Sequence, residues 1–109
     1  MRTLRFIVED QIIKQDPTCD FTGLIPGTEG YVQAEFIFSK EWMGCTKVAS
    51  FWSGTGIEYP PEVLQDGKTC MIPAEALKKQ YFKVQVIGRR NNFKILTNKV
   101  LVNQNGGKS

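Results

Sequence analysis

The stretch at 31–52, YVQAEFIFSKEWMGCTKVASFW, constrains this chain more than any other. Val32, Ala34, Phe36 and Phe38 share one side of an extended backbone; Gln33 and Glu35 share the other, with Ile37 as the exception. A period of two marks a half-buried strand. Ser39, Lys40, Glu41 and Gly44 interrupt the alternation, and Trp42 sits at the break. Val48, Ser50 and Trp52 then alternate with Lys47, Ala49 and Phe51, a run apolar enough on both faces for a central strand. Two strands around a tight polar turn predict a hairpin at the middle of an all-β core.

The rest of the chain adds short strands. Residues 3–8 place Leu4, Phe6 and Val8 on one side, and 11–14 suit a return strand after the polar break at Glu9 and Asp10. Residues 16–30, with Pro17, Gly23, Pro26, Gly27 and Gly30, read as a loop. It is about as long as structureless loops become inside compact domains, which points to function or to pinning by a partner. Phe21, Leu24 and Ile25 within it must pack on the domain or form a contact patch, with packing favoured. After the turn at 53–56, an edge strand is expected at 57–59, stopped by Pro60 and Pro61 and resumed at 62–64. Asp66-Gly67 is a turn signal before a strand at 68–72. Residues 73–79 predict one short helix: Pro73 suits a first turn, Glu75 its start, and Lys78 and Lys79 its end. Phe82, Val84 and Val86 alternate with Lys83 and Gln85 in a strand over 81–88. Arg89, Arg90, Asn91 and Asn92 form a hairpin tip, because asparagine tolerates left-handed turn conformations. Strands at 93–96 and 99–103 close the pattern. Many short strands with regular turns predict an all-β, single antiparallel β-sandwich, immunoglobulin-like or related. Phe36, Phe38, Trp52, Phe82 and Val84 are its expected core. Residues 1–103 are expected to form one domain, and 104–109 a flexible tail.

With 109 residues and a net charge of +3, the chain suits one domain. No apolar run approaches the roughly 18 residues of a membrane helix. The opening MRTLRFIVEDQII lacks a long apolar core and a small-residue cleavage site, so it reads as a strand and not a signal peptide. Cys19, Cys45 and Cys70 are too widely spaced for a zinc site and odd in number, which points to free thiols in a reducing compartment. Charge is divided along the chain. Residues 1–67 hold five bases against ten acids, and residues 68–109 nine bases against Glu75 alone. Such a division suits head-to-tail contact between copies or a basic patch, unless strands from both halves interleave and average it out.

Little in the chain suggests catalysis. Histidine, the commonest general base and metal ligand, is absent. Glu9-Asp10 and Glu58/Glu62 are paired carboxylates in turns or beside prolines, where a solvated surface explains them. Gly106-Gly107-Lys108-Ser109 imitates the end of a phosphate loop, but no helix follows to meet the phosphate. Lys78, Lys79, Lys83, Arg89, Arg90, Lys94 and Lys99 mix with Tyr81, Phe82 and Phe93 as in single-strand binders. Strand alternation explains that mixture without nucleic acid. No cofactor, metal or membrane is expected. Trp42 reads as a lid on one end of the core, or else as an exposed anchor. Trp52 reads as packed.

Phe36-Ile37-Phe38-Ser39-Lys40-Glu41-Trp42, then Gly44, Thr46-Lys47-Val48-Ala49 and Phe51, resembles a signature of small phage or prophage proteins. The same signature opens phage upper-baseplate proteins of Gram-positive hosts. Cys70-Met71-Ile72-Pro73-Ala74-Glu75-Ala76-Leu77 resembles that group's strand–Pro–Glu–Leu segment; Phe82–Gly88 and Thr97–Val100 resemble its closing strands. Ala74 stands where the group often has tryptophan, and the chain ends where baseplate proteins continue, so the resemblance implies the module standing alone. It also implies a sandwich that docks on other virion proteins.

The expected function is therefore a non-enzymatic phage structural protein: a head-decoration, connector or baseplate component in the virion. It would contact other virion proteins or copies of itself through Phe21, Leu24, Ile25, Trp42, Arg89, Arg90, Asn91 and Asn92. The alternative is a phage-encoded inhibitor of a host defence system, such as an anti-CRISPR protein, acting in the host cytoplasm by binding and occlusion.

Overall fold

The computed structural model describes residues 1–104. Among them, nine strands build two sheets packed face to face. The strands are β1 (Arg2–Glu9), β2 (Ile12–Gln15), β3 (Val32–Phe38), β4 (Thr46–Ser53), β5 (Glu62–Val63), β6 (Thr69–Met71), β7 (Tyr81–Arg90), β8 (Phe93–Leu96) and β9 (Val100–Asn103). Sheet A has the order β2-β1-β3-β6; sheet B has the order β5-β4-β7-β8, with β9 sharing β7's far edge with β8. The all-β sandwich expected from the alternation is the fold observed. One pairing departs from the antiparallel expectation: β1 and β3 run parallel, in register from Arg2 opposite Val32 to Val8 opposite Phe38. A parallel pair needs a long crossover, and β2 with the loop at 16–31 supplies it.

The expected hairpin at 31–52 does not form. β3 lies in sheet A and β4 in sheet B, so the two face one another across the core. The reason is their shared apolar demand. Val32, Ala34 and Phe36 bury one face of β3, and Ala49 and Phe51 bury one face of β4. β3's two edges are already taken by β1 and β6. The link between them is a corner: a 3-10 turn at Lys40–Trp42, then Gly44 at φ +78°. Trp42 is wholly buried there. Its Nε1 donates to the Asp10 carbonyl at 2.8 Å, and its ring lies 5.1 Å from that of Phe38.

The core is one cluster drawn from the inner faces of both sheets, including Leu4, Phe6, Phe36, Phe51, Phe82 and Val84. Two members of the expected core differ. Phe38 is only partly buried, at the rim beside Trp42. Trp52 lies on sheet B's outer face, because Phe51 takes the inward position and a strand's period of two sends its neighbour outward. The edge strand at 57–59 reduces to one bridge, Trp52 with Glu58. The expected helix is a single turn, α1 (Ala74–Leu77), with Pro73 just before it.

Both margins of the sandwich are laced together. On one, Asn98 acts as a strand partner for β2: its Oδ1 accepts from Ile13 N at 2.8 Å, and its own N donates to the Gln11 carbonyl at 3.1 Å. Gln11 and Gln15 donate across to the carbonyls of Leu96 and Leu101. On the other margin, β5 turns into β6 through Asp66-Gly67, with Gln65 N bonded to the Thr69 carbonyl at 2.6 Å. Gln104 is not part of a flexible tail. It is buried, and its side chain donates to the carbonyls of Leu77 and Lys79. The expected tail at 105–109 lies outside the described residues.

The long loop is pinned to β1. Asp16 Oδ1 accepts from both the backbone and the hydroxyl of Thr18 at 2.9 Å, and its Oδ2 lies 3.5 Å from Arg5. Arg5 also bonds Glu35 at 3.0 Å. The Thr18 hydrogen bonds, with help from Arg5, hold the Asp16 carboxyl below its ordinary value of 3.8. A depressed carboxyl stabilises the fold above its unfolded value and loses that contribution as pH falls through the folded value. Urea midpoints measured from about pH 6 down to about pH 2.5 should therefore fall less steeply for Asp16→Asn than for wild type.

Gly88 of β7 has a second constraint. A Cβ there would stand 2.8 Å from Cε3 and Cζ3 of Trp42 and 3.2 Å from Ile95. The indole is enclosed and cannot swing away. Gly88→Ala should cost about 1–3 kcal/mol by urea denaturation; an unchanged midpoint would mean the ring has room to move.

Candidate functional site

Strand register builds the candidate site on the outer face of sheet B. Val48 of β4 is opposite Val63 of β5 and Ile87 of β7, and Ile87 is opposite Leu96 of β8. These four side chains therefore form one apolar row that crosses the sheet perpendicular to the strands. Directly paired residues share a face. Val63 is 65% exposed and Leu96 37%. One step along the strands lies a polar row of Thr46, Arg89 and Lys94; one step the other way lie Ser50 and Gln85. Beyond them come Trp52, Lys83 and Leu101 in register, with Lys99 Nζ 3.7 Å from the Trp52 ring centroid. Arg89 and Lys94 thus border the apolar row directly, and Lys83 and Lys99 lie beyond Ser50 and Gln85.

A groove of about 290 Å³ follows that row, lined by Thr46, Val48, Ser50, Glu58, Pro61, Ile87 and Arg89. Ser50 is only 1% exposed, and among the described residues its Oγ has no hydrogen-bond partner; neither has Trp52 Nε1. Two orphaned polar groups on one outer face are unusual, because buried polar atoms are nearly always paired. The surface combines apolar contact area with a basic border on one side. That is what a protein contact uses.

The contact residues expected from sequence are not brought together. The loop at 16–30 lies at the end of the sandwich where Gly27 N bonds the Leu77 carbonyl. The tip at 89–92 lies at the opposite end, beside Trp42. Within the loop, Leu24 is buried and so is not a contact residue; Phe21 is partly buried, packed edge-on against Phe6 at 5.4 Å, and Ile25 is exposed. Trp42 is not an anchor, because the corner between the sheets consumes it. At the tip, Asn91 takes φ +49° in the turn and is exposed with Asn92. Arg90 folds back over the Phe93 ring at 4.0 Å and bonds the Met43 carbonyl. Arg89 alone of the expected set lines the groove.

Val48, Val63, Ile87 and Leu96 escaped the sequence reading. Their signal was present in part: Val48 and Ile87 are apolar at positions whose neighbours two residues away, Ser50 and Gln85, are polar. Only the register shows that they form one row.

Among the described residues, no group of three His, Cys, Asp or Glu side chains is placed to hold a metal. No helix of the described residues is long and apolar enough to cross a membrane. Burial, with a smaller contribution from Glu62, pushes the Cys70 thiol up to about 12. Its thiolate, the reactive form, is therefore scarce at neutral pH. No protein-family model, curated protein or solved structure matches this chain.

Ser50→Ala should leave the isolated protein equally stable, or more stable by up to about 1 kcal/mol, because it removes an unpaired buried hydroxyl. A loss above about 1 kcal/mol in urea denaturation would mean the hydroxyl has a partner within the fold.

Proposed function

We propose that this chain is a non-enzymatic structural component of a phage particle, in the class of head-decoration, connector or baseplate proteins. It works by protein contact, with the outer face of sheet B as the contact surface. The observation that carries this reading is the row Val63–Val48–Ile87–Leu96 across a base-bordered sheet face. A solvated sheet face ordinarily presents polar residues outward. An apolar row with Val63 and Leu96 exposed is better served by a covering partner than by water. The phage setting rests on the resemblance of the segments around Phe36–Trp42 and Cys70–Leu77 to phage modules.

Quantitative mass spectrometry of purified particles, with a time course in infected cells, tests this. Many copies per particle and late synthesis are expected. Early synthesis with none in the particle would overturn the structural role and turn attention to binding of host defence proteins. The double variant Val63→Glu, Leu96→Glu changes exposed positions, so its stability should stay within about 1 kcal/mol of wild type. It should nevertheless be lost from particles. Normal incorporation would remove this face from the contact.

A further inference from the structure

The outer face of sheet A is a counterpart to that of sheet B. Ile7 of β1 is opposite Ile37 of β3 on one side and Lys14 of β2 on the other, and Ile12 of β2 lies diagonally beside Ile7, opposite Glu9. Ile12 is 59% exposed and Ile37 49%. β6 pairs with residues 33–35 of β3, so among the described residues no strand pairs with Ile37 on that side. Beside the isoleucines is a hollow of about 420 Å³ lined by Glu9, Asp10, Ile12, Lys14 and Ser39. That lining holds two acids and one base, whereas on sheet B Arg89 and Lys94 border the row and Glu58 is the acid of its groove.

We infer that a second copy of this chain occupies the sheet B face, presenting its own sheet A face. The isoleucines of one copy lie on the Val63–Leu96 row of the next, and Glu9 and Asp10 meet Arg89 and Lys94. The inference rests on the proposed contact role and names the occupant. Two features carry it: each face exposes apolar side chains in a cluster, and the hollow beside the isoleucines holds Glu9 and Asp10 against Lys14 while Arg89 and Lys94 border the sheet B row against Glu58. Like-with-like pairing of sheet B faces would instead oppose base to base, which is costly. The two faces are on opposite sides of the sandwich. The contact is therefore heterologous and builds a ring or an open filament, not a closed two-fold dimer.

Two double variants test the geometry by sedimentation velocity. Val63→Glu, Leu96→Glu blocks the sheet B face; Ile12→Glu, Ile37→Glu blocks the sheet A face. Wild type should form oligomers that grow with concentration, and the association should weaken on the order of tenfold as salt rises from about 0.05 to about 0.5 M. Each variant alone should remain monomeric. Their equimolar mixture should give a one-to-one dimer and nothing larger, because one good interface survives between them. Circular dichroism melts establish that each variant is folded. A mixture that stays monomeric beside an associating wild type would overturn the inference, as would a sheet A variant that associates like wild type. If wild type stays monomeric to about millimolar concentration while the sheet B variant is still lost from particles, the occupant is a different protein. The inference then fails and the contact role of the face stands. If the sheet B variant is incorporated normally, the contact role fails as well.

Discussion

The fold turns on the burial of Trp42. An indole with no exposure at a corner between sheets leaves the chain little choice of path. Its Nε1 needs an acceptor once desolvated, and the Asp10 carbonyl at the β1–β2 turn supplies it. Its ring needs a flat floor, and Gly88 supplies that by having no Cβ. Residues 10, 42 and 88 are thereby held at one end of the sandwich, and sheet A is tied to sheet B.

That corner also governs charge. Because the chain changes sheets after β3, its early strands stay together in sheet A, joined only by the three residues of β6. The later strands β7, β8 and β9 go to sheet B. The strands of sheet B carry Lys47, Lys83, Arg89, Arg90 and Lys94 against Glu62 alone. Interleaving, which would have cancelled the division seen along the chain, is therefore incomplete. In sheet A the strands carry Arg2, Arg5 and Lys14 against Glu9 and Glu35; further acids collect in adjoining turns, at Asp10 and Glu41 near the corner and at Asp16 and Asp20 in the pinned loop. The outer faces inherit this difference.

The sequence revealed the strands and hid their partners. Alternation is local, so β1, β3, β7 and the short β8 and β9 were legible from Leu4, Phe6, Phe36, Val84 and their neighbours. Sheet membership is not local. Val48 and Ala49 look alike as candidates for burial, and only the inward placement of Phe51 decides between the two faces of β4. The same ambiguity put Trp52 in the core. Leu24 was misread for a related reason: it is as apolar as a contact residue, and nothing in composition shows that the fold already covers it. The apolar row on sheet B was the least legible feature. Its members come from four separate strands, and 48 positions separate Val48 from Leu96 in the chain.

The margins determine which surfaces remain for contact. An open sheet edge invites a partner strand. Here Asn98 fills the bonding positions of β2, Gln11 and Gln15 take carbonyls of β8 and β9, and the Gln65–Thr69 turn joins β5 to β6. Strand addition would have to break these bonds before making its own. The broad faces carry no such covering. Affinity between faces depends on apolar area and side-chain charge and not on backbone hydrogen bonds. It can be tuned by a few exposed residues without disturbing the corner at Trp42. A chain built this way separates the groups that hold its fold from the groups available to a neighbour.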